Sequence, residues 1–311
     1  MTDTFTPPAP LQTAVLFLVF NRPDTTEQVF KAIRQAKPPR LYVAADGPRA
    51  DRVGEAEKVA RVREIASAAD WPCELKILFR NDNLGCKHAV SGGITWFFEQ
   101  EKQGIILEDD CLPSQSFFWF CEELLDRYSE NKQIMLISGY NKQQEWRNSD
   151  CDYFFSNLGG IWGWATWRRA WELYDGRMDG LELLLKSGYF KQILGRKLGK
   201  RRGRQLISAK KKNLSGIMSS WAYPWGFTRH KYNGLSCVPS HSLIANIGFG
   251  GSATHTVGYD KDLVRRVEIN LPTKENQEII PDKLYDEAFL RDSRDRSLLS
   301  SFKSYLAELL R

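Results

Sequence analysis

The chain has 311 residues, 42% of them hydrophobic and 26% charged, with a formal net charge of +6 at pH 7. That suits one large α/β domain or two closely fused halves and excludes a disordered or fibrous class. No window reaches the roughly 18 uninterrupted apolar residues of a spanning helix, and the N-terminus lacks a signal-peptide pattern.

Met1–Pro10 is polar and Pro-rich and reads as a loose tail. Ala14–Phe20 is a continuous apolar strand, followed by a helix from about Asp24 to Ala36 behind Pro23. Leu41–Ala45 is a second strand, ending at Asp46-Gly47-Pro48. A polar helix over about Glu55–Ala69 follows, then a strand over Leu75–Phe79 with its turn at Arg80–Gly85. Val90, Ile94, Phe97 and Phe98 recur at helical spacing within a helix from about Cys86 to Gln100. Strands alternating with helices at this period imply a mainly parallel, doubly covered sheet.

The fourth strand, Ile105-Ile106-Leu107, ends abruptly in Glu108-Asp109-Asp110. Three adjacent carboxylates repel one another unless something cationic sits with them. One reading is a divalent cation held by oxygen ligands and bridging phosphates. The other is an ordinary strand-to-loop turn in which Asp110 or Ser114 caps the next helix. Ligands of open α/β sheets bind outside the carboxyl ends of the strands. Four such ends are polar here: Asn21-Arg22, Asp46-Gly47, Arg80–Gly85 and the acids. In outline this is a nucleotide-binding crevice.

The second half is less regular. Gln133–Ser138 and Tyr153–Ser156 read as strands, and Gly159–Trp164 as a flexible aromatic loop entering a helix that bears Trp164, Trp167 and Trp171. A segment dense in Arg and Lys, Arg196–Lys212, follows. It suits an anionic lipid surface or a pyrophosphate-linked acceptor, or equally a solvated helix. No nucleic-acid-binding motif accompanies it, so nucleic acid is not an expected partner. A helix over about Ser219–Tyr232, a strand over Leu235–Val238 and an amphipathic helix near Arg294–Leu310 complete the pass. The cysteines at positions 73, 86, 111, 121, 151 and 237 show no metal-knuckle spacing, so reduced, buried thiols are expected.

Taken in order, Phe20-Asn21-Arg22-Pro23, Asp46-Gly47, Asn83-Leu84-Gly85 and Ile106–Asp110 resemble the first half of GT-A glycosyltransferases of the N-acetylglucosaminyltransferase I kind. Trp162–Trp167, Ser220–Trp225, Asn246–Gly250 and Ala253–Thr256 resemble a bacterial, hemolytic-protein-like group of nucleotide-diphospho-sugar transferases. The resemblance implies a GT-A, Rossmann-like α/β fold with a mixed, mainly parallel sheet and helices on both faces. It divides the chain into a tail (1–12), a nucleotide-sugar half (13–130), an acceptor half (131–265) and a helical extension (266–311).

It also implies a nucleotide-sugar donor, UDP-linked, and a glycan or lipid-linked acceptor, in a cytoplasmic protein that touches the inner membrane face through Arg196–Lys212. Asp110 would be the direct metal ligand, with Glu108 and Asp109 near the ribose or sugar. His255 resembles the late histidine that completes coordination, which favours Mn²⁺ over Mg²⁺; its alternative is a surface loop histidine. Asn21, Arg22 and Asp46 would contact the nucleotide, although Asp46 is equally well a turn residue in Asp-Gly-Pro. Arg80 and Lys87 would meet base or phosphate, with Asn83 and Gly85 in the same turn. Gly160 and Trp162 would form a mobile sugar platform. Trp221 lies in the acceptor motif, though its spacing from Trp225 fits packing better.

One position departs from the pattern. Relatives of this kind often carry Asp where this chain has Ala222, and alanine cannot take the acceptor's proton. Either the chain binds donor and transfers poorly, or Asp152, Glu172 or Asp175 supplies the base, or the position is not the base here. Rival classes are a sugar-nucleotide-binding protein without transfer activity and a sugar-1-phosphate nucleotidyltransferase. The long Gly-rich activation loop of the latter is missing after the first strand.

Overall fold

The computed structural model describes residues 5–146, 151–248, 265–274 and 278–291. Its centre is an eight-stranded sheet of β1 (Val15–Val19), β2 (Arg40–Ala45), β3 (Glu74–Phe79), β4 (Gln103–Glu108), β6 (Ile134–Ser138), β7 (Tyr153–Ser156), β8 (Trp164–Trp167) and β9 (Leu235–Pro239). Their order is β3-β2-β1-β4-β8-β6-β9-β7. The pairs β1–β2, β2–β3, β1–β4 and β6–β9 are parallel, while β8 and β7 run antiparallel to their neighbours. This is the expected mixed, mainly parallel α/β sheet of Rossmann-like type.

β1 shows why the apolar runs are continuous. Val15, Phe17 and Val19 face one core, and Leu16 and Leu18 the other. Both faces must therefore be apolar, because helices cover each. α1 (Pro23–Ala36), α2 (Glu55–Ala66) and α4 (Ser116–Arg127) pack on the first face through Phe30, Ile33, Val62 and Phe117. α3 (Gly85–Phe98), α5 (Arg168–Trp171) and α8 (Ala222–Lys231) pack on the second through Ile94, Phe97, Trp171 and Trp225. Each such fully buried Val, Leu or Phe stabilises the fold by about 1.5–3 kcal/mol.

Three expectations need correction. Trp164–Trp167 is a strand rather than the start of a helix: Ala165 and Trp167 face one core and Trp164 the other, a period of two. Neither Asp110 nor Ser114 caps α4. The Glu268 carboxylate does, accepting the backbone N–H groups of Gln115 and Ser116 at 2.8 and 2.7 Å. The end of the N-terminal tail is also pinned, since Trp119 Nε1 donates to the Ala9 carbonyl and Phe5 packs 5.4 Å from the Trp119 ring.

A small second sheet pairs β5 (Cys111–Pro113) with β10 (Ile244–Asn246). The basic segment is helical. After α6 (Leu181–Lys186), α7 (Tyr189–Leu214) is broken at Gly195, whose φ of 71° is left-handed and favours glycine. All six cysteines are free thiols, but only Cys111, Cys121 and Cys237 are buried. No helix among the described residues is long and apolar enough to cross a membrane. The expected helix near Arg294–Leu310 lies outside the described residues.

Candidate functional site

β1 and β4 lie side by side at the point where the strand order reverses, with Leu18 paired to Glu108. Chain connections leave a crevice at such a point, beyond the carboxyl ends of the strands. Here Arg22, at the entry to α1, meets the acids that follow β4. Its Nη1 donates to Asp110 Oδ2 at 2.5 Å and lies 3.6 Å from Asp109 Oδ1. Asp109 also accepts the Phe20 backbone N–H at 3.1 Å, which ties the two strand ends together.

The electrostatics are unbalanced, because one guanidinium faces three carboxylates. Burial, followed by repulsion from Asp110 and Asp109, drives the Glu108 pKa well above the usual carboxylate range. Burial also raises Asp109, although Arg22 partly offsets the effect. Burial alone would lower the Arg22 pKa, but attraction from Asp109, Asp110 and Glu108 outweighs it and the net shift is upward. Fully ionised, the site would hold an excess of poorly solvated negative charge, which either protonation or a bound cation relieves.

The segment after β10 closes over this pair. Ile247 N–H donates to the Asp110 carbonyl at 2.8 Å. A Cβ on Gly248 would stand 2.4 Å from Asp110 Oδ2 and 2.8 Å from Arg22 Nη1, so the backbone approaches as only glycine permits. His255 and Ala253–Thr256 lie outside the described residues. Among the described residues no three His, Cys, Asp or Glu side chains are grouped so as to hold a metal ion.

A second group gathers at the ends of β2 and β3. Asp46 accepts the N–H groups of Leu84 (3.0 and 3.1 Å) and Gly85 (3.0 Å), so its carboxylate closes the turn into α3. Asn83 Nδ2 donates to the Gly47 carbonyl at 2.7 Å. Arg80 lies along α3, with Nη1 donating to the Ala89 carbonyl at 3.3 Å. The Lys87 N–H donates to Ser219 Oγ at 2.9 Å, joining the start of α3 to the segment before α8. Asn21 Nδ2 donates to Glu55 Oε1 at 2.8 Å, and Glu55 also binds Arg49.

A third group is the Gly160–Trp162 loop, where the half-buried Trp162 ring lies 4.5 Å from Tyr140. Gly163 sits close to Leu107 of β4. Trp221 is not in any of these groups. It is 2% exposed and stacks 5.6 Å from Trp164 in the core. Ala222 opens α8 and lines a separate, basic cleft together with Gly159 and Ile161.

Sequence reasoning missed Glu55, Arg63 and Gly248. Arg63 Nη2 donates to the Asp46 and Arg80 carbonyls and fastens two strand ends. A contact across 17 residues between a helix and two loops leaves no local signal. Gly248 stands inside the Asn246–Gly250 motif, but nothing local signals its approach to Asp110.

No protein-family profile matches this chain, and no curated protein matches it. Among solved structures, HddC from Yersinia pseudotuberculosis is similar at a TM-score of 0.27 and 10% identity, over 41% of this chain and 57% of that one. The matched part thus spans little more than half of that protein, and a likeness at this level bears on neither function nor mechanism.

Proposed function

We propose that the protein is a metal-dependent glycosyltransferase that moves a sugar from a nucleoside diphosphate, UDP in the first instance, to a glycan or lipid-linked acceptor, with inversion. It would act in the cytoplasm, at the inner membrane face. The observation that carries the reading is the Arg22–Asp109–Asp110 cluster at the β1/β4 switch point, where three consecutive carboxyl groups face one guanidinium. The donor set is hard oxygen, which fits Mn²⁺ or Mg²⁺ bound through one or two carboxylates together with substrate phosphates. Asp110 would hold the ion, with His255 as the candidate second ligand. When bound, the ion neutralises charge on the departing diphosphate.

The chain's own groups would do the rest. Arg22 would hold Asp110 in place for the ion. Asp46 and Asn83 fix the β3–α3 turn where the nucleotide would lie, bounded by Asn21, Arg80, Gly85 and Lys87. Glu108 and Asp109 face the ribose and sugar, and Gly160 and Trp162 offer a surface for the sugar ring.

Ala222 favours one second reading, a protein that binds sugar nucleotide without transferring it. Among the described residues that line the cleft beside Ala222 the one carboxylate is Glu287, which is paired to Arg291 at 2.7 Å.

The test is thermal-shift binding against a panel of nucleotides and nucleotide sugars, with and without Mn²⁺. Stabilisation by a UDP-sugar that needs metal and disappears in Asp110→Ala is the expected result. No stabilisation by any nucleotide would overturn the proposal.

A further inference from the structure

The basic segment forms one wall of a cavity. α7, α8 and the helical residues 283–291 enclose a cleft of about 1460 Å³. Among the described residues that line it, eight are Arg or Lys and one, Glu287, is a carboxylate. Surface Arg-rich helices normally point their charges into water, because an unpaired buried cation is costly. Here two of them do not.

Arg229 is 3% exposed, and its Nε has no hydrogen-bond partner. Its one side-chain bond among the described residues is to Ser236 Oγ. Arg202 is half-buried and donates from Nε to His230 Nε2 at 3.3 Å, a neutral imidazole nitrogen rather than a carboxylate. The buried Asp286 acts on Arg229 through space, yet its oxygens are engaged by Ser156 Oγ and Asn157 Nδ2. Burial first, then repulsion from Arg202, pulls the Arg229 pKa down to about 9, and burial pulls Arg202 down to about 10. Both remain charged at pH 7. Gly226 leaves room for the Arg202 guanidinium, since a Cβ there would stand 2.9 Å from Arg202 Nη2.

We infer that this cleft is a binding site for a phosphate ester, a diphosphate in particular, with Arg202 and Arg229 at its base and Arg196 and Lys197 at its mouth. Two guanidiniums lining one cleft and repelling each other through space offer forked donors to the oxygens of a phosphoryl group. The volume exceeds what an inorganic ion needs, and Leu194, Leu198, Phe289 and Leu290 offer apolar wall to an organic substituent. Ala222, Gly159 and Ile161 lie on the same cleft, so its occupant reaches the loop that carries Trp162. Assignment of that occupant as the phosphate-bearing end of the acceptor rests on the transferase reading; the anion site itself does not.

The experiment uses the full chain in EDTA, so that metal-dependent donor binding is silent, and titrates inorganic pyrophosphate by calorimetry and thermal shift. Saturable binding is expected, weakened about tenfold or more in Arg202→Gln, the loss anticipated for one charge-assisted hydrogen bond. Because Arg202→Gln disturbs a half-buried position, the exposed pair Arg196→Ala/Lys197→Ala is measured alongside and should weaken binding without lowering the melting temperature of the free protein. No binding of pyrophosphate, or equal binding by both variants, overturns the site. Vesicles containing phosphatidic acid are the second arm. Vesicle binding that pyrophosphate fails to displace overturns it in favour of a lipid surface, whereas displacement supports it. Pyrophosphate binding in a protein that shows no Mn²⁺-dependent UDP-sugar binding leaves the site standing and removes the transferase reading.

Discussion

Arg22 Nη1 lies 2.5 Å from Asp110 Oδ2 and 3.6 Å from Asp109 Oδ1, so one guanidinium answers two of three consecutive carboxylates. The consequence is a pH dependence of stability. The Glu108 and Asp109 pKa values are raised above their ordinary 4.5 and 3.8, first by burial. Between those values and neutral pH the folded chain holds more protons than the unfolded one, so stability falls as pH rises through that window. The loss is spread between about pH 5 and 8. Urea unfolding across that range should show it, and Glu108→Gln should flatten it. A wild-type slope that Glu108→Gln leaves unchanged would contradict the assignment.

Glu55 gives the opposite sign. The hydrogen bond from Arg49 lowers its pKa from 4.5 to about 2, and Asn21 adds to the effect. A depressed carboxylate contributes stability above its unfolded value, and that contribution is lost as pH falls towards 2. Glu55→Gln should therefore cost about 1–2 kcal/mol at pH 7, and progressively less between pH 4.5 and 3. A constant deficit across that interval would mean that the neutral side chain does the same work.

These contrasts mark what sequence could reveal. The first four strands were legible because a doubly covered sheet demands unbroken apolar runs, and Val15–Val19 and Ile105–Leu107 supply them. The meeting of Arg22 with the acids after β4 was legible because topology brings the ends of β1 and β4 together. Asp46 was ambiguous: its neighbours Gly47 and Pro48 read as a turn, while its true partners, Leu84 and Gly85, lie 38 and 39 residues away. Trp164 and Trp167 looked helical because a spacing of three fits both a helix and a strand buried on two faces. The Glu268 cap on α4 and the burial of Arg229 are tertiary facts with no local signature.

Trp221 separates packing from recognition. Its ring is 2% exposed and near-parallel to Trp164, at 19°. Trp221→Ala should cost about 3–5 kcal/mol in unfolding free energy, the usual toll of removing a large buried aromatic ring. Trp221→Phe should restore most of that stability and leave sugar-nucleotide affinity at the wild-type value. A Phe variant that is stable but has lost acceptor-dependent turnover would return Trp221 to the site.

Ala222 is the last test, and the fold makes it clean. It is the first residue of α8, whose first turn holds no acid, so a carboxylate there is favoured by the helix dipole by about 0.3–1 kcal/mol. Ala222→Asp should therefore fold at least as well as the parent. Two of the three alternative bases are engaged elsewhere. Asp175 accepts the N–H groups of Arg177 and Asp179 and pairs with Lys231, and Asp152 accepts the Lys274 N–H. Glu172 stands exposed at the end of α5. If position 222 faces the acceptor hydroxyl, Ala222→Asp raises turnover about 100-fold, in the range of a positioned general base, with donor affinity unchanged. The gain should appear only above the pH at which the new carboxylate ionises, because the protonated acid cannot accept the acceptor's proton. Turnover equal to the parent's, in a variant that still binds donor, would place the base outside this helix.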